Sequence, residues 1–193
     1  MTVLEWVTSR NGQSVDLDGA YGPQCVDLAD DWANTLGRPL PPVQGAKDFA
    51  GLVIPGYTWV DNTPDAVPAP GDLVIWGTAL GPWGHVAIRT EVPADTNSFQ
   101  TLDQNWVNSG PNGSPAALVT HTYAGVKGWQ HPEGGAPVSS NAPTPDPQQL
   151  AELAARVAAI ETWRDTQAGP NIVKINQTLG GIAKLITDAG FTP

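Results

Sequence analysis

The sequence predicts an α+β fold, in which one early helix packs on an antiparallel sheet. Over residues 24–36 the apolar side chains recur on one helical face, and a glycine follows where a helix C-cap is expected. After residue 70 the chain changes to short apolar runs, which Gly-Pro and Asn-Gly pairs separate. The helical face consists of Cys25, Leu28, Ala29, Trp32 and Leu36, and Gly37 is the C-cap glycine.

Five strands are predicted after residue 70, because β-branched and aromatic residues are concentrated in these runs. Turn-forming pairs between the runs indicate a sheet built from consecutive short strands. The predicted ranges are 72–76, 85–89, 99–106, 117–123 and 126–130.

The chain is predicted to have three parts: a first domain of residues 1–133, a Pro/Gly/Ser-rich linker of residues 134–146, and a helical module of residues 147–193. In the last part apolar residues recur at spacings of three and four on both sides of Gly169-Pro170, which predicts a helical hairpin. Two short amphipathic helices must bury their stripes, so oligomerisation through them is one expected outcome. The stripes are Leu150, Leu153, Val157 and Ile160, and then Ile172, Ile175, Leu179, Ile182 and Ile186.

The charge distribution restricts the classes of partner. The formal net charge of −10 belongs to residues 1–146, which hold five Lys and Arg against fifteen Asp and Glu. Such an acidic domain excludes nucleic acid as the expected partner, since phosphates require basic side chains. The chain also lacks a run of eighteen apolar residues, so we expect no membrane insertion, and its start lacks the pattern of a secretory signal.

Cys25 is the only cysteine, which excludes an internal disulfide and a Cys-rich zinc site. A free cysteine is often a buried apolar residue, and that interpretation stays open. Cys25 lies at the start of the predicted helix, where the backbone N–H groups and the helix dipole stabilise a thiolate. This position favours a nucleophile.

A thiolate mechanism needs a base, and the chain has three histidines. His85 follows Gly84 and opens a buried strand, which makes it the preferred base, with a core histidine as the alternative. His121 alternates with polar neighbours and His131 precedes a proline, so both are predicted to be surface residues that catalysis does not need.

A third side chain usually fixes the tautomer and orientation of a catalytic histidine. Asp103 and Asn105 are the candidates, because two residues of one strand that are separated by one position point to the same face. The segment can also be an ordinary strand that ends in a turn.

Acidic residues precede the cysteine with the spacing of a calcium-binding loop. Positions 1, 3, 5, 7 and 12 of this loop are Asp16, Asp18, Ala20, Gly22 and Asp27, with carbonyl ligands expected at Ala20 and Gly22. The glycine of position 6 and the glutamate of position 12 are missing, so this is not an EF-hand. An acidic turn before a helix N-terminus is the alternative.

Four segments, taken together and in order, resemble the CHAP family of cysteine, histidine-dependent amidohydrolases/peptidases, of the type found in bacteriophage endolysins. The resemblance covers roughly residues 5–130. The segments are Tyr21-Gly-Pro-Gln-Cys-Val-Asp-Leu28, Gly71-Asp-Leu-Val-Ile-Trp76, Gly84-His-Val-Ala87 and Asp103-Gln-Asn-Trp106.

The resemblance implies a papain-like α+β fold, with Cys25 as nucleophile and His85 as base. Asp103 replaces a glutamate that is common in the family, and Asn105 matches a family asparagine, so either can orient His85. The Cys25 backbone N–H, with the Gln24 side chain as a second candidate, is expected to stabilise the oxyanion. Some members bind Ca²⁺ ahead of the cysteine, which favours calcium at the acidic loop.

The resemblance further implies hydrolysis of amide bonds in bacterial peptidoglycan, as an amidase or an endopeptidase. Such a lysin would be made in the host cytoplasm and act on the wall after release. A virion-associated tail lysin and a catalytically dead wall-binding module are the alternatives. The terminal helices are expected to oligomerise or to bind the wall. Of Trp76, Trp83 and Trp106, one is expected at the surface to contact substrate.

Overall fold

The computed structural model describes residues 1–138 and residue 155. The sheet and the candidate site lie in one compact unit, Met1–Ser140. The predicted helical hairpin of residues 147–193, its proposed oligomerisation and most of the predicted linker lie outside the described residues.

Two α-helices precede the sheet. Helix α1 spans Val3–Arg10 and starts with a capping box, in which the Glu5 N–H donates to Thr2 Oγ1 at 3.2 Å and the Thr2 N–H donates to Glu5 Oε2 at 2.8 Å. Helix α2 spans Cys25–Thr35, which confirms the helix predicted around Cys25. Short 3₁₀ helices lie at Ala46–Phe49 and Thr78–Leu80.

Six antiparallel strands form one sheet in the order β1-β6-β2-β3-β4-β5. The antiparallel sheet is confirmed, and β1 is an additional edge strand that pairs only with β6. The strand predicted over residues 99–106 is three residues too long at its C-terminal end. The bounds are Tyr57–Asp61 for β1, Leu73–Trp76 for β2, His85–Arg89 for β3, Phe99–Asp103 for β4, Ala117–His121 for β5 and Val126–Pro132 for β6.

Apolar clusters cover both faces of the sheet, because successive strand residues point to opposite sides. On one face α1 and α2 pack against Leu73, Ile75 and Val86. On the other face Val74 and Trp76 lie in a second cluster, together with the aromatic residues of β4 and β6. All four residues of β2 are buried, so this strand is the centre of the fold.

The beginning of the predicted linker packs on the domain. The Val3 N–H donates to the Pro137 carbonyl at 2.7 Å, and Ala136 contacts the first apolar cluster. The domain therefore continues beyond residue 133. Among the described residues, no helix has the length and apolarity that a membrane crossing requires.

Gly84 fixes the position at which β3 begins. Its φ of +67° is left-handed, and an added Cβ would lie 2.5 Å from the Trp76 carbonyl oxygen and 2.9 Å from the Lys47 nitrogen. Both neighbours are backbone atoms, which cannot rotate away as a side chain can. Only glycine therefore allows the chain to enter β3 at His85 in this way.

We predict that Gly84→Ala lowers the free energy of unfolding more than Gly12→Ala. Gly12 has a φ of +80° but nothing within 4 Å of an added Cβ, so it is a matched control for the left-handed cost alone. That cost is about 1–2 kcal/mol, and Gly84→Ala adds the backbone clash to it. Urea unfolding measures both variants, and equal losses would contradict the close approach at Gly84.

Candidate active site

Cys25 is the first residue of α2, and the backbone turns into the helix at Gln24. The Gln24 N–H donates to Asp27 Oδ2 at 2.9 Å, which fixes the first turn. The sulfur thus lies at the positive end of the helix dipole, in the position that the sequence predicts. A thiolate is favoured there.

The Cys25 thiol interacts with His85 across the gap between α2 and β3. Burial alone raises the pKa of Cys25, but the hydrogen bond to His85 and the charge of its ring lower it. Backbone hydrogen bonds from Val86 and from Cys25 itself lower it further, and the net pKa lies below the ordinary value of a thiol. The structure therefore favours a thiolate.

His85 is buried at the start of β3, and its Nε2 lies 2.9 Å from Asp103 Oδ2. Because Nε2 faces the carboxylate, Nδ1 is the ring nitrogen left for the thiol. Burial lowers the pKa of His85, but the hydrogen bonds with Asp103 and Cys25 raise it to about 9. Both shifts have the same direction, so the geometry favours a proton on His85 and negative charge on the Cys25 sulfur.

Asp103 ends β4 and is 1% exposed. Burial raises its pKa, whereas hydrogen bonds from His121 and His85 lower it, and the net pKa is below the ordinary value. Thr101 Oγ1 also donates to Asp103 Oδ1. With these donors the buried carboxylate stays ionised and can stabilise the His85 cation.

His121 is not the surface residue that the sequence predicts. It is 8% exposed, and its Nε2 lies 3.0 Å from Asp103 Oδ2, the same oxygen that His85 contacts. The polar neighbours Thr120 and Thr122 are exposed, whereas His121 is in phase with Val119 along the strand. The alternation of polar residues around His121 therefore indicates that His121 faces inward.

The prediction that Asn105 shares a face with Asp103 is wrong, because β4 ends at Asp103. Asn105 has a φ of +55°, which turns its side chain out of the strand pattern. Its Nδ2 donates to Gln24 Oε1 at 2.6 Å and to the Gly110 carbonyl at 3.1 Å. The structure thus brings Asp103, and not Asn105, to His85.

The Gln24 side chain connects two loops. While its Oε1 accepts from Asn105, its Nε2 donates to the Tyr21 carbonyl at 2.6 Å. Because both ends of the Gln24 amide are hydrogen-bonded, this side chain holds the two loops together in the structure. Its function as an oxyanion donor stays a prediction.

Gln104 is a structural residue of the site that sequence reasoning missed. It is fully buried, and it pairs with the backbone of Val15 through an N–H···Oε1 bond of 2.8 Å and an Nε2···O bond of 2.7 Å. Its Nε2 also donates to the Gln24 carbonyl at 2.6 Å. Gln104 therefore attaches the segment before Cys25 to the end of β4. A glutamine beside a strand end gives no sequence pattern that would have indicated this.

The acidic loop brings three carboxylates together. Oxygen atoms of Asp16, Asp18 and Asp27 lie within 4.8 Å of one another. Asp27 accepts the Leu17 N–H at 3.1 Å, which holds the loop against the start of α2. Burial raises the pKa of Asp27, hydrogen bonds from the Gln24 and Leu17 N–H groups lower it, and the charges of Asp18 and Asp16 raise it again, leaving it above the ordinary value.

The chain turns sharply after these aspartates. Tyr21 and Gly22 have φ values of +65° and +67°, and an added Cβ at Gly22 would lie 2.3 Å from the Asn112 carbonyl oxygen. The acidic loop is therefore pressed against the loop that follows β4. Ala20 and Gly22 stay predicted carbonyl ligands.

The three tryptophans near the site differ in exposure. Trp76 is buried and Trp106 is half-buried, with ring centroids 5.5 Å and 4.8 Å from that of His85. Trp83 is 63% exposed and precedes His85 by two positions. The indole at the surface is therefore Trp83, whereas the other two enclose the imidazole.

Comparisons with known proteins identify a family and similar endolysins. Residues 14–105 match the CHAP domain model. Endolysin PlyTW of Staphylococcus phage Twort is 32% identical over 133 residues, which are 66% of this chain and 28% of the relative. The crystal structure of the wild-type endolysin LysIME-EF1 superposes with a TM-score of 0.61 and 33% identity, over 72% of this chain and 64% of that one.

The chain therefore spans about a quarter of the length of the curated relative and less than two thirds of the solved endolysin. The matched segment includes Cys25, His85, Asp103 and the whole acidic loop. By this match and by the fold, residues 14–105 are identified as a CHAP domain, and the chain is similar to phage endolysins.

Proposed function

We propose that this chain is a cysteine-dependent peptidoglycan hydrolase that cleaves amide bonds in the bacterial cell wall as a phage lysin. The observation that carries the proposal is the continuous contact of Cys25, His85 and Asp103 at the N-terminus of α2. Both similar proteins are named endolysins, which supports peptidoglycan as the substrate. The intact set of groups favours an active enzyme over a dead wall-binding module.

In the first half of the reaction the Cys25 thiolate attacks the carbonyl carbon of the amide. The S–C bond forms as the carbonyl becomes an oxyanion, which the backbone N–H of Cys25 stabilises at the positive end of α2. The His85 imidazolium then gives its Nδ1 proton to the leaving nitrogen. The C–N bond breaks, the amine departs, and the acyl group remains on sulfur.

In the second half neutral His85 takes a proton from water, and the hydroxide attacks the thioester carbonyl. The C–S bond breaks, the carboxylic acid leaves, and the thiolate–imidazolium pair is restored. Asp103 keeps its negative charge throughout and stabilises the imidazolium each time it forms. Gln24 and Asn105 hold the two loops that bound Cys25.

Trp83 offers the substrate an exposed apolar ring two positions before His85. Its backbone carbonyl accepts the Lys47 N–H at 3.0 Å, and an added Cβ at Gly45 would lie 2.8 Å from that oxygen, so the segment is held in place. An exposed indole on a backbone that is held in this way suits contact with a sugar or peptide of the wall.

We propose calcium as a structural ion of the acidic loop. Asp16, Asp18 and Asp27 would hold it, because hard oxygen ligands suit Ca²⁺ and three close carboxylates repel one another. The raised pKa of Asp27 reflects burial and this repulsion. When bound, the ion supplies positive charge and rigidity, and the loop would then position the start of α2.

The bond that is cleaved can be the N-acetylmuramoyl-L-alanine amide or a bond within the stem peptide or cross-bridge. Mass spectrometry of digested peptidoglycan distinguishes them, since each produces different new termini. We propose that residues 147–193 oligomerise or bind the wall. We also propose that the enzyme acts on the wall after its release from the host.

We predict that iodoacetamide alkylates wild-type Cys25 at pH values below the range of a free thiol, whose pKa is about 8.5. In His85→Ala the midpoint should move to higher pH. This variant loses the hydrogen bond and the charge that lower the pKa of Cys25, whereas the burial that raises it remains. The rate of alkylation as a function of pH measures both.

His131→Ala is the matched control, because His131 contacts the buried Asp72 at 2.7 Å in another part of the sheet. It should leave the midpoint unchanged. A wild-type profile like that of free cysteine would contradict the thiolate–imidazolium pair.

We predict that Cys25→Ala abolishes clearing of a susceptible cell-wall suspension and that Asp103→Asn slows it by about 10²-fold or more, since acid–base catalysis contributes on that scale. Turbidity records both rates, and His131→Ala should clear at the wild-type rate. Clearing by Cys25→Ala would exclude a cysteine mechanism.

We predict that Ca²⁺ raises the melting temperature and EDTA lowers it, with a smaller effect of Mg²⁺ because the larger ion suits an irregular loop. At a hundredfold excess over Kd the gain is about 2.7 kcal/mol. Asp16→Ala and Asp18→Ala should lose the response, whereas the exposed Asp65→Ala should keep it. A wild-type melting curve that is indifferent to all three additions would remove calcium from the account.

A further inference from the structure

We propose that His121 is a positioning residue of the catalytic centre: its Nε2–H is the second donor that keeps the Asp103 carboxylate ionised and the His85 ring cationic. The inference rests on the function proposed above and deepens it. It concerns the second histidine on Asp103, which the three-residue mechanism does not use.

The hydrogen-bond geometry supports the proposal. Both histidines direct Nε2 to Asp103 Oδ2, at 2.9 Å from His85 and 3.0 Å from His121. The other oxygen accepts from Thr101. A carboxylate that is 1% exposed has lost its water, so these three side-chain donors replace hydration. Of the three, His121 and His85 are the two imidazoles, and only His85 also contacts the nucleophile.

The aromatic packing supports it independently. Trp106 and Trp76, which enclose the His85 ring, also enclose His121, with centroid distances of 4.8 Å and 4.7 Å. The ring centroid of Phe99 lies 5.9 Å from that of His121. His121 is therefore fixed in a rigid aromatic environment with its nitrogen directed at Asp103. Such a ring cannot leave the carboxylate without displacing the indoles that hold His85.

The consequence concerns the proton between His85 and Asp103. Each donor to a carboxylate lowers its affinity for a proton. With His121 in place the proton stays on His85, and the pair is imidazolium and carboxylate. Without this donor the proton shifts toward Asp103, which leaves a neutral imidazole beside the sulfur. The titratable groups that face this cluster are Cys25 from α2, His85 from β3, Asp103 from β4 and His121 from β5.

The test uses the full chain labelled with ¹⁵N-histidine, which has three histidines to resolve. His121→Gln keeps an N–H donor at a similar reach, and His121→Met fills the site with an unbranched apolar side chain that has no donor. His131→Met is the matched control, since it removes a histidine from another buried aspartate, Asp72. All samples are measured at pH 7 with the same calcium concentration.

We expect wild-type His85 to be protonated on both nitrogens and His121 to carry a proton on Nε2. In His121→Met the ratio of cationic to neutral His85 should fall by about tenfold, since a hydrogen bond to a charged group is worth at least about one pKa unit. His121→Gln and His131→Met should keep the wild-type ratio. The alkylation rate of Cys25 at pH 7 should fall severalfold in His121→Met and be restored in His121→Gln.

A bare Nε2 on wild-type His121 would overturn the proposal, and that measurement needs no variant that could fail to fold. So would an unchanged His85 in a folded His121→Met, or a loss that His121→Gln shares. None of these readouts requires wall substrate. A chain that clears no peptidoglycan but shows the expected His85 response would therefore refute the proposed function alone.

Discussion

The hydrogen bond between His85 Nε2 and the buried Asp103 carboxylate is the constraint on which the site depends. A carboxylate without solvent is costly unless donors replace its water, and each donor here comes from the sheet. β3 supplies His85, β4 supplies Thr101, and β5 supplies His121. Because these strands are adjacent in the sheet, their side chains meet at Asp103 and stabilise the protonated His85 ring beside Cys25. Helix α2 places the sulfur next to this ring.

A second set of contacts connects the nucleophile with the loops around it. Gln104 holds the segment before Cys25 to the end of β4, and the Gln24 and Asn105 amides connect the same two loops from outside. Asp27 belongs to both structures, because it accepts the Gln24 N–H and takes part in the acidic cluster. A cation held by that cluster would contact Asp27, which is only two positions after Cys25, and would thereby stabilise the start of α2. This gives a physical reason for placing an ion site so near a thiolate.

The sequence was sufficient where local chemistry decides the structure. The helix at Cys25, the strand at His85 and the need for glycine before it follow from periodicity and backbone geometry. Contacts between distant segments were not readable. Asn105 leaves the strand because its amide bonds to Gln24, which lies 81 positions earlier. β1 forms because β6 pairs with it from the far end of the domain. The surface position predicted for His121 is wrong because its polar neighbours mark only the opposite face of the strand.

Trapping the acyl-enzyme tests whether Cys25 forms a covalent bond with the wall substrate. Soluble peptidoglycan fragments are mixed with the full chain, the reaction is quenched with acid within milliseconds to seconds, and the digested protein is examined by mass spectrometry. We expect a transient acyl adduct on the peptide that contains Cys25, with the mass of the fragment that carries the new carboxyl terminus. Absence of this adduct during turnover, or an adduct on any other residue, would contradict Cys25 as the nucleophile.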